Sequence, residues 1–245
     1  MKESSELKQL ARESLKGRYW EAFAALIIVN LPTVFTFLRD ISDTIQLIFA
    51  KGFGLYLYVT SSNASKSGTI FLLLYIVIGS ALLVGHSAYN IKLIRNEPTS
   101  LNNLFDYFPM LGRTIWLTLY LSFYVFIWTL AYVLILLAII LLLRLNPYFM
   151  IISIVPLLIK VLPYSLAYFI LAEKPFITVK EALQESTKLM TGNRWNLFRL
   201  FLSFIGWYIL SYFTFGLAMF FAWPYLSATI AAFYLELKES SAIVV

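Results

Sequence analysis

The chain has no cysteine and a single histidine, His86. The first absence removes disulfides, thiolate metal sites and cysteine nucleophiles together. The second rules out a multi-histidine iron or zinc centre. Charge is scarce too: only 13% of the 245 residues are charged and 60% are hydrophobic, against about 25% charged in an ordinary soluble domain. So little polarity cannot cover a water-facing surface, and the bilayer must be the solvent. No Gly-x-Ser-x-Gly elbow, phosphate-binding P-loop or Gly-x-Gly-x-x-Gly fingerprint occurs. No pair of carboxylates lies within the apolar runs, which disfavours an intramembrane aspartyl protease or a carrier driven by a buried acid. Glu21 and Glu173 sit near run ends. The expectation is a non-enzymatic chain needing neither cofactor nor metal.

What is present is a recurrence. Gly17-Arg18-Tyr19-Trp20, Gly112-Arg113-Thr114-Ile115-Trp116 and Gly192-Asn193-Arg194-Trp195 each open a long apolar run. A helix needs about 20 apolar residues to cross the hydrocarbon. Spans are expected near 19–38, 69–91, 114–143, 148–171, 196–213 and 216–236. The third exceeds what a bilayer requires and must tilt or project. The alternative is five spans, with 196–236 entering without crossing twice. The first run ends at Arg39-Asp40 with no small-x-small cleavage site, so it is expected to be retained.

Lys and Arg set the orientation. Lys2, Lys8, Arg12, Lys16, Arg18, Lys92, Arg95 and Arg113 fall on one side, with Lys174, Lys180, Lys188, Arg194, Arg199 and Lys238. Arg39, Lys51, Lys66 and Arg144 fall on the other, and Lys160 lies within a span. The positive-inside rule then puts both termini in the cytoplasm. The formal charge of +6 is interleaved with spans, so anionic lipid head groups, not nucleic acid, are the expected counter-ion.

Each cytoplasmic segment reads as an amphipathic helix. Leu7, Leu10, Ala11, Ser14 and Leu15 form the first stripe; Leu101, Leu104, Phe105 and Phe108, ended by Pro109, form the second. Val179, Ala182, Leu183, Ser186 and Met190 form the third, behind a Thr178-x-x-Glu181 capping box. Gly17, Gly112 and Gly192 fit the left-handed residue that closes a helix, and Trp20, Trp116 and Trp195 fit head-group anchors. These helices are expected to lie on the membrane surface facing lipid, with protein docking as the alternative use. Ser87-Ala88-Tyr89, Ser165-Leu166-Ala167-Tyr168 and Ala231-Ala232-Phe233-Tyr234 place small residues before a tyrosine on the even spans, where they permit close helix approach. The fold class is therefore all-α and polytopic: one membrane domain, 1–245, of six helices in three hairpins, each behind a cytoplasmic amphipathic helix, as pseudo-repeats 1–95, 96–172 and 173–240. Residues 40–68 form the one long external loop, with flexible-linker composition at 61–68.

Lys160 is the residue hardest to place. It falls between Pro156 and Pro163, where a central lysine costs roughly 2.5–3.5 kcal/mol to insert. Its candidate partners are freed backbone carbonyls, the Tyr164 hydroxyl, water or an anionic ligand. The other placement shifts the span and lets Lys160 snorkel to the outer head groups. His86, beside Gly85 and Ser87, reads as a packing histidine rather than a proton relay. Lys160, Tyr164 and His86 are the candidate polar core.

Ala182-Leu183-Gln184-Glu185-Ser186, then Met190-Thr191-Gly192-Asn193-Arg194-Trp195, resemble the bacterial domain-of-unknown-function family 975. Leu202-Ser203-Phe204-Ile205-Gly206-Trp207, Pro224-Tyr225 and Ala231-Ala232-Phe233-Tyr234 continue the match, and residues 10–20 are similar to that family's opening. The resemblance implies a multi-span protein of the bacterial cytoplasmic membrane, mostly of Gram-positive species, and carries no functional residue across. The leading expectation is a protein that handles lipids or amphipathic molecules, or supports envelope stress and peptide resistance. The alternative is a scaffold or accessory subunit docking a transporter or envelope synthase at the cytoplasmic face.

Overall fold

The computed structural model describes residues 3–31, 75–144, 160–214 and 216–243. Among these residues every regular element is helical. We number the α-helices α1 (Ser4–Leu15), α2 (Tyr19–Leu31), α3 (Ser80–Ile94), α4 (Leu111–Leu143), α5 (Ala167–Glu173), α6 (Val179–Met190), α7 (Arg194–Leu202), α8 (Ile205–Phe213) and α9 (Leu217–Ile243). Four stretches among them are long and apolar enough to cross a membrane: Ile76–Ile94, Leu101–Ile140, Arg194–Phe213 and Leu217–Ser241. The other two expected spans, 19–38 and 148–171, run partly outside the described residues, as does the whole loop 40–68.

Two of the three leading segments fold as their patterns predict. α1 and α6 are both 12 residues long, and each opens with a reciprocal capping box, Glu3 with Glu6 and Thr178 with Glu181. Gly17 (φ 78°) and Gly192 (φ 79°) then turn left-handed. The turn bonds match one for one: Lys16 N–H to Glu13 O and Arg18 N–H to Leu15 O in the first, Thr191 N–H to Lys188 O and Asn193 N–H to Met190 O in the second.

The middle segment departs from expectation. Residues 101–110 form two short 3-10 turns, Leu101–Leu104 and Phe108–Met110, instead of an amphipathic α-helix. Ser100 accepts from the Asn102 N–H and fixes the first turn, and Pro109 lies at the start of the second. Gly112 is no left-handed closer; it sits in the first turn of α4, with nothing within 4 Å of its missing Cβ. The 3-10 turn runs directly into α4, so no reversal is left for glycine to make.

A second correction concerns the amphipathic leading helices. Leu7, Ala11, Ser14 and Leu15 of α1 are buried, as are Val179, Ala182, Leu183, Ser186 and Met190 of α6. Their apolar faces therefore meet protein rather than lipid. α1 packs on α9 and α3, α6 packs on α5, and the 101–104 turn packs on α3. Residues 196–213 are also not one helix: the chain breaks at Ser203–Phe204 between α7 and α8. The Lys8 ammonium donates to the Ser203 carbonyl at 2.6 Å and lies 4.4 Å from the Phe204 ring centre. It thus supplies positive charge where a helix C-terminus leaves carbonyls unpaired. Burial there, and then the nearby Arg12 charge, push Lys8 below its usual pKa.

α3, α5 and α9 form the centre. α3 packs against both α5 and α9, and Phe169 of α5 stacks on Tyr234 of α9 at 5.5 Å. The small residues preceding the tyrosines, Ala88, Ala167, Ala231 and Ala232, are all buried, as close helix approach requires. Gly85 of α3 is the tightest point, because a Cβ there would lie 2.2 Å from the Leu104 carbonyl oxygen.

Candidate functional site

Two polar clusters stand out on this apolar frame. The first joins the ends of the three central helices. Glu173, at the end of α5, takes Arg95 from just beyond α3 on one carboxylate oxygen. Its other oxygen accepts from Lys238 and, at 2.6 Å, from the Tyr234 hydroxyl of α9. The carboxylate side chain is 9% exposed, and its two cations are 41% and 39% exposed. Burial alone would raise the Glu173 carboxyl; the hydrogen bonds from Lys238, Tyr234 and Arg95 outweigh it and hold the group below the usual carboxylate range.

Further contacts gather at the same end. Arg18 donates to the Glu97 carbonyl and to Asn96, Arg113 to the Pro175 carbonyl, and Lys174 pairs with Glu185. Residues assigned to one membrane side from charge alone are thus brought together in space. Among the described residues no group of three metal-ligating side chains exists. The Glu173 cluster is a tie between helices, and sequence reading passed over it because Glu173 carries no local motif.

The second cluster contains two of the three predicted polar-core residues. Lys160 is exposed, and its ammonium sits 4.5 Å from the centre of the Trp128 ring on α4. The Tyr164 ring packs edge-on against Tyr124 at 4.7 Å. Trp128 continues the row, 6.2 Å from Tyr124 and stacked 5.7 Å from Tyr132. Lys160 and Tyr164 each make their contact with α4, through Trp128 and Tyr124 respectively. Among the described residues no carboxylate lies within ion-pair distance of Lys160. The helical spacing of Tyr124, Trp128 and Tyr132 was legible in the sequence, but what faced them was not.

His86 is bonded within its own helix: the Asn90 amide lies 3.2 Å from its ring Nε2 and donates to its carbonyl at 2.8 Å. Its polar partner is thus Asn90 of the same helix, and it does not join Lys160 and Tyr164. The three tryptophans expected as anchors are all exposed, Trp20 at 71%, Trp116 at 63% and Trp195 at 59%.

No curated protein matches the chain, and no solved structure does. A family model described as a protein of unknown function, DUF975, matches residues 1–241. The match extends over both amphipathic leading helices and all three central helices, and the chain belongs to that family.

Proposed function

We propose that this chain is an integral protein of the bacterial cytoplasmic membrane that binds anionic amphipathic molecules, lipids foremost, without chemically altering them. Six helices cross as three hairpins, in pseudo-repeats 1–95, 96–172 and 173–240, with both termini in the cytoplasm. The Lys/Arg bias supports the orientation. The repeat reading draws on the matched turns after α1 and α6. It also draws on a packing rule: each leading segment lies on the return helix of the preceding hairpin, 101–104 on α3, α6 on α5, and α1 on α9.

The observation that carries the function is the position of Lys160. Trp128 lies seventeen residues beyond Leu111 in a helix of 33 residues, about 25 Å along it at 1.5 Å per residue. Lys160 therefore lies beside the middle of the longest helix, which we read as mid-depth in the bilayer. Counting eight residues back from Tyr89, Tyr168 and Tyr234 gives Ala81, Lys160 and Leu226, and Ala81 and Leu226 are both buried. Only the second hairpin replaces that packing residue with an exposed cation. An ammonium at this depth needs water or an anion, and the Trp128 face, though favourable to a cation, leaves its N–H donors for a ligand's oxygens.

Lys160→Met is expected to strip retained anionic lipid from the gently extracted protein in native mass spectrometry, with thermal stability and expression unchanged. Retention of the same lipid by the variant would refute the reading, and parallel loss of lipid and stability would make the lysine structural. A second reading, a scaffold for a transporter or an envelope synthase, is favoured by Lys180 and Lys188, which remain exposed on α6. Lys180→Glu with Lys188→Glu should then release a crosslinked partner while the fold survives. An unchanged crosslinking pattern removes that reading.

A further inference from the structure

We infer that one ridge of α4 is a track along which anionic phospholipid head groups cross the bilayer, so that the protein equilibrates these lipids between leaflets. This rests on the reading of Lys160 as an anion site at mid-depth, and adds movement to binding. Trp116, Tyr120, Tyr124, Trp128 and Tyr132 recur every fourth residue. Residues four apart form a continuous ridge on a helix surface. From Trp116 to Tyr132 the ridge rises about 24 Å, most of the roughly 30 Å hydrocarbon thickness.

Aromatic anchors ordinarily sit in two belts at the membrane interfaces. Here the succession runs through the middle of the span, and every ring carries a hydroxyl or an indole N–H. Polar groups in hydrocarbon are costly unless satisfied. Trp116 and Tyr120 are exposed, the Tyr124 ring packs on that of Tyr164, and Trp128 lies beneath Lys160. A phosphate passing along the ridge would meet hydrogen-bond donors at each turn and a positive charge midway. The acyl chains would stay in the surrounding lipid. The central cation favours a net-negative head group over a zwitterionic one.

The test uses the purified full-length chain in phosphatidylcholine vesicles with a trace of head-group-labelled phosphatidylglycerol or phosphatidylcholine. Dithionite bleaches the outer leaflet, and the rate at which the protected inner label becomes bleachable reports crossing. The native chain should speed crossing over protein-free vesicles, phosphatidylglycerol more than phosphatidylcholine. Lys160→Met and Trp128→Leu should each slow it by on the order of tenfold or more. Leu134→Ala, exposed on the same helix but off the ridge, should not. Crossing no faster than in protein-free vesicles, with Lys160-dependent lipid still retained in native mass spectrometry, overturns the track and leaves the binding site. Loss of both overturns both readings. Crossing that is fast but indifferent to Lys160 and Trp128 also overturns the track.

Discussion

Gly85→Ala is expected to destabilise the folded protein by about 3 kcal/mol, the upper end of what overpacking costs. The added methyl would lie 2.2 Å from the Leu104 carbonyl oxygen and 2.8 Å from both its carbonyl carbon and its Cα. These are backbone atoms of a fully buried residue, so no side chain can swing away. The 101–104 turn must lift off α3, exposing Leu104 and straining the Ser100 cap. Gly206→Ala is the matched control. Gly206 lies inside α8 with open space at its Cβ position, so the same change should add about 0.5–1 kcal/mol through helix propensity. Thermal melts in one detergent should therefore move in opposite directions. Equal shifts would show that the close approach at Gly85 is not what holds the turn.

Glu173→Ala is the second large effect. It leaves Arg95, Lys238 and the Tyr234 hydroxyl facing one another with no anion between them. Removing one partner from a buried ion pair costs 3–5 kcal/mol, but here both cations keep roughly two-fifths of their exposure, so about 2 kcal/mol is expected. The folded-state carboxyl lies below its unfolded value. Its stabilisation is therefore complete above the ordinary glutamate range, near pH 4.3, and is lost as pH falls through the depressed folded-state value. The native chain should lose melting temperature between neutral pH and pH 3.5 more steeply than Glu173→Gln, which has no carboxyl to protonate. Parallel pH profiles would remove Glu173 from the account of acid sensitivity.

The parts of this fold legible in sequence were those set by neighbours in the chain. Composition required a membrane, and the α1 and α6 stripes, the Thr178–Glu181 cap and the left-handed glycines at 17 and 192 all follow from local spacing. The stripe at 101–108 had the same spacing but is shaped by a distant residue: Gly85 lets the Leu104 backbone press onto α3. Which way the amphipathic faces turned was likewise a tertiary matter. Burial of Ala11 and Ser186 in the bundle could not be distinguished from burial in lipid by periodicity alone. The break at Ser203–Phe204 lies within a stretch whose hydropathy reads as one span, and its cation comes from Lys8, far off in sequence. For the same reason Lys160 was recognisable as an anomaly, while its seat on Trp128 required the packing of two segments far apart in the chain.

The proposed function depends on a cation held at mid-depth in the bilayer. The native chain has no cysteine, so Lys160→Cys can carry a single spin label in reconstituted vesicles. Collision with oxygen should be high and with a water-soluble nickel chelate low, giving a depth well inside that of a label at Trp116→Cys. A label at position 160 as accessible to nickel as one at position 116 would place the residue among the head groups and contradict the account.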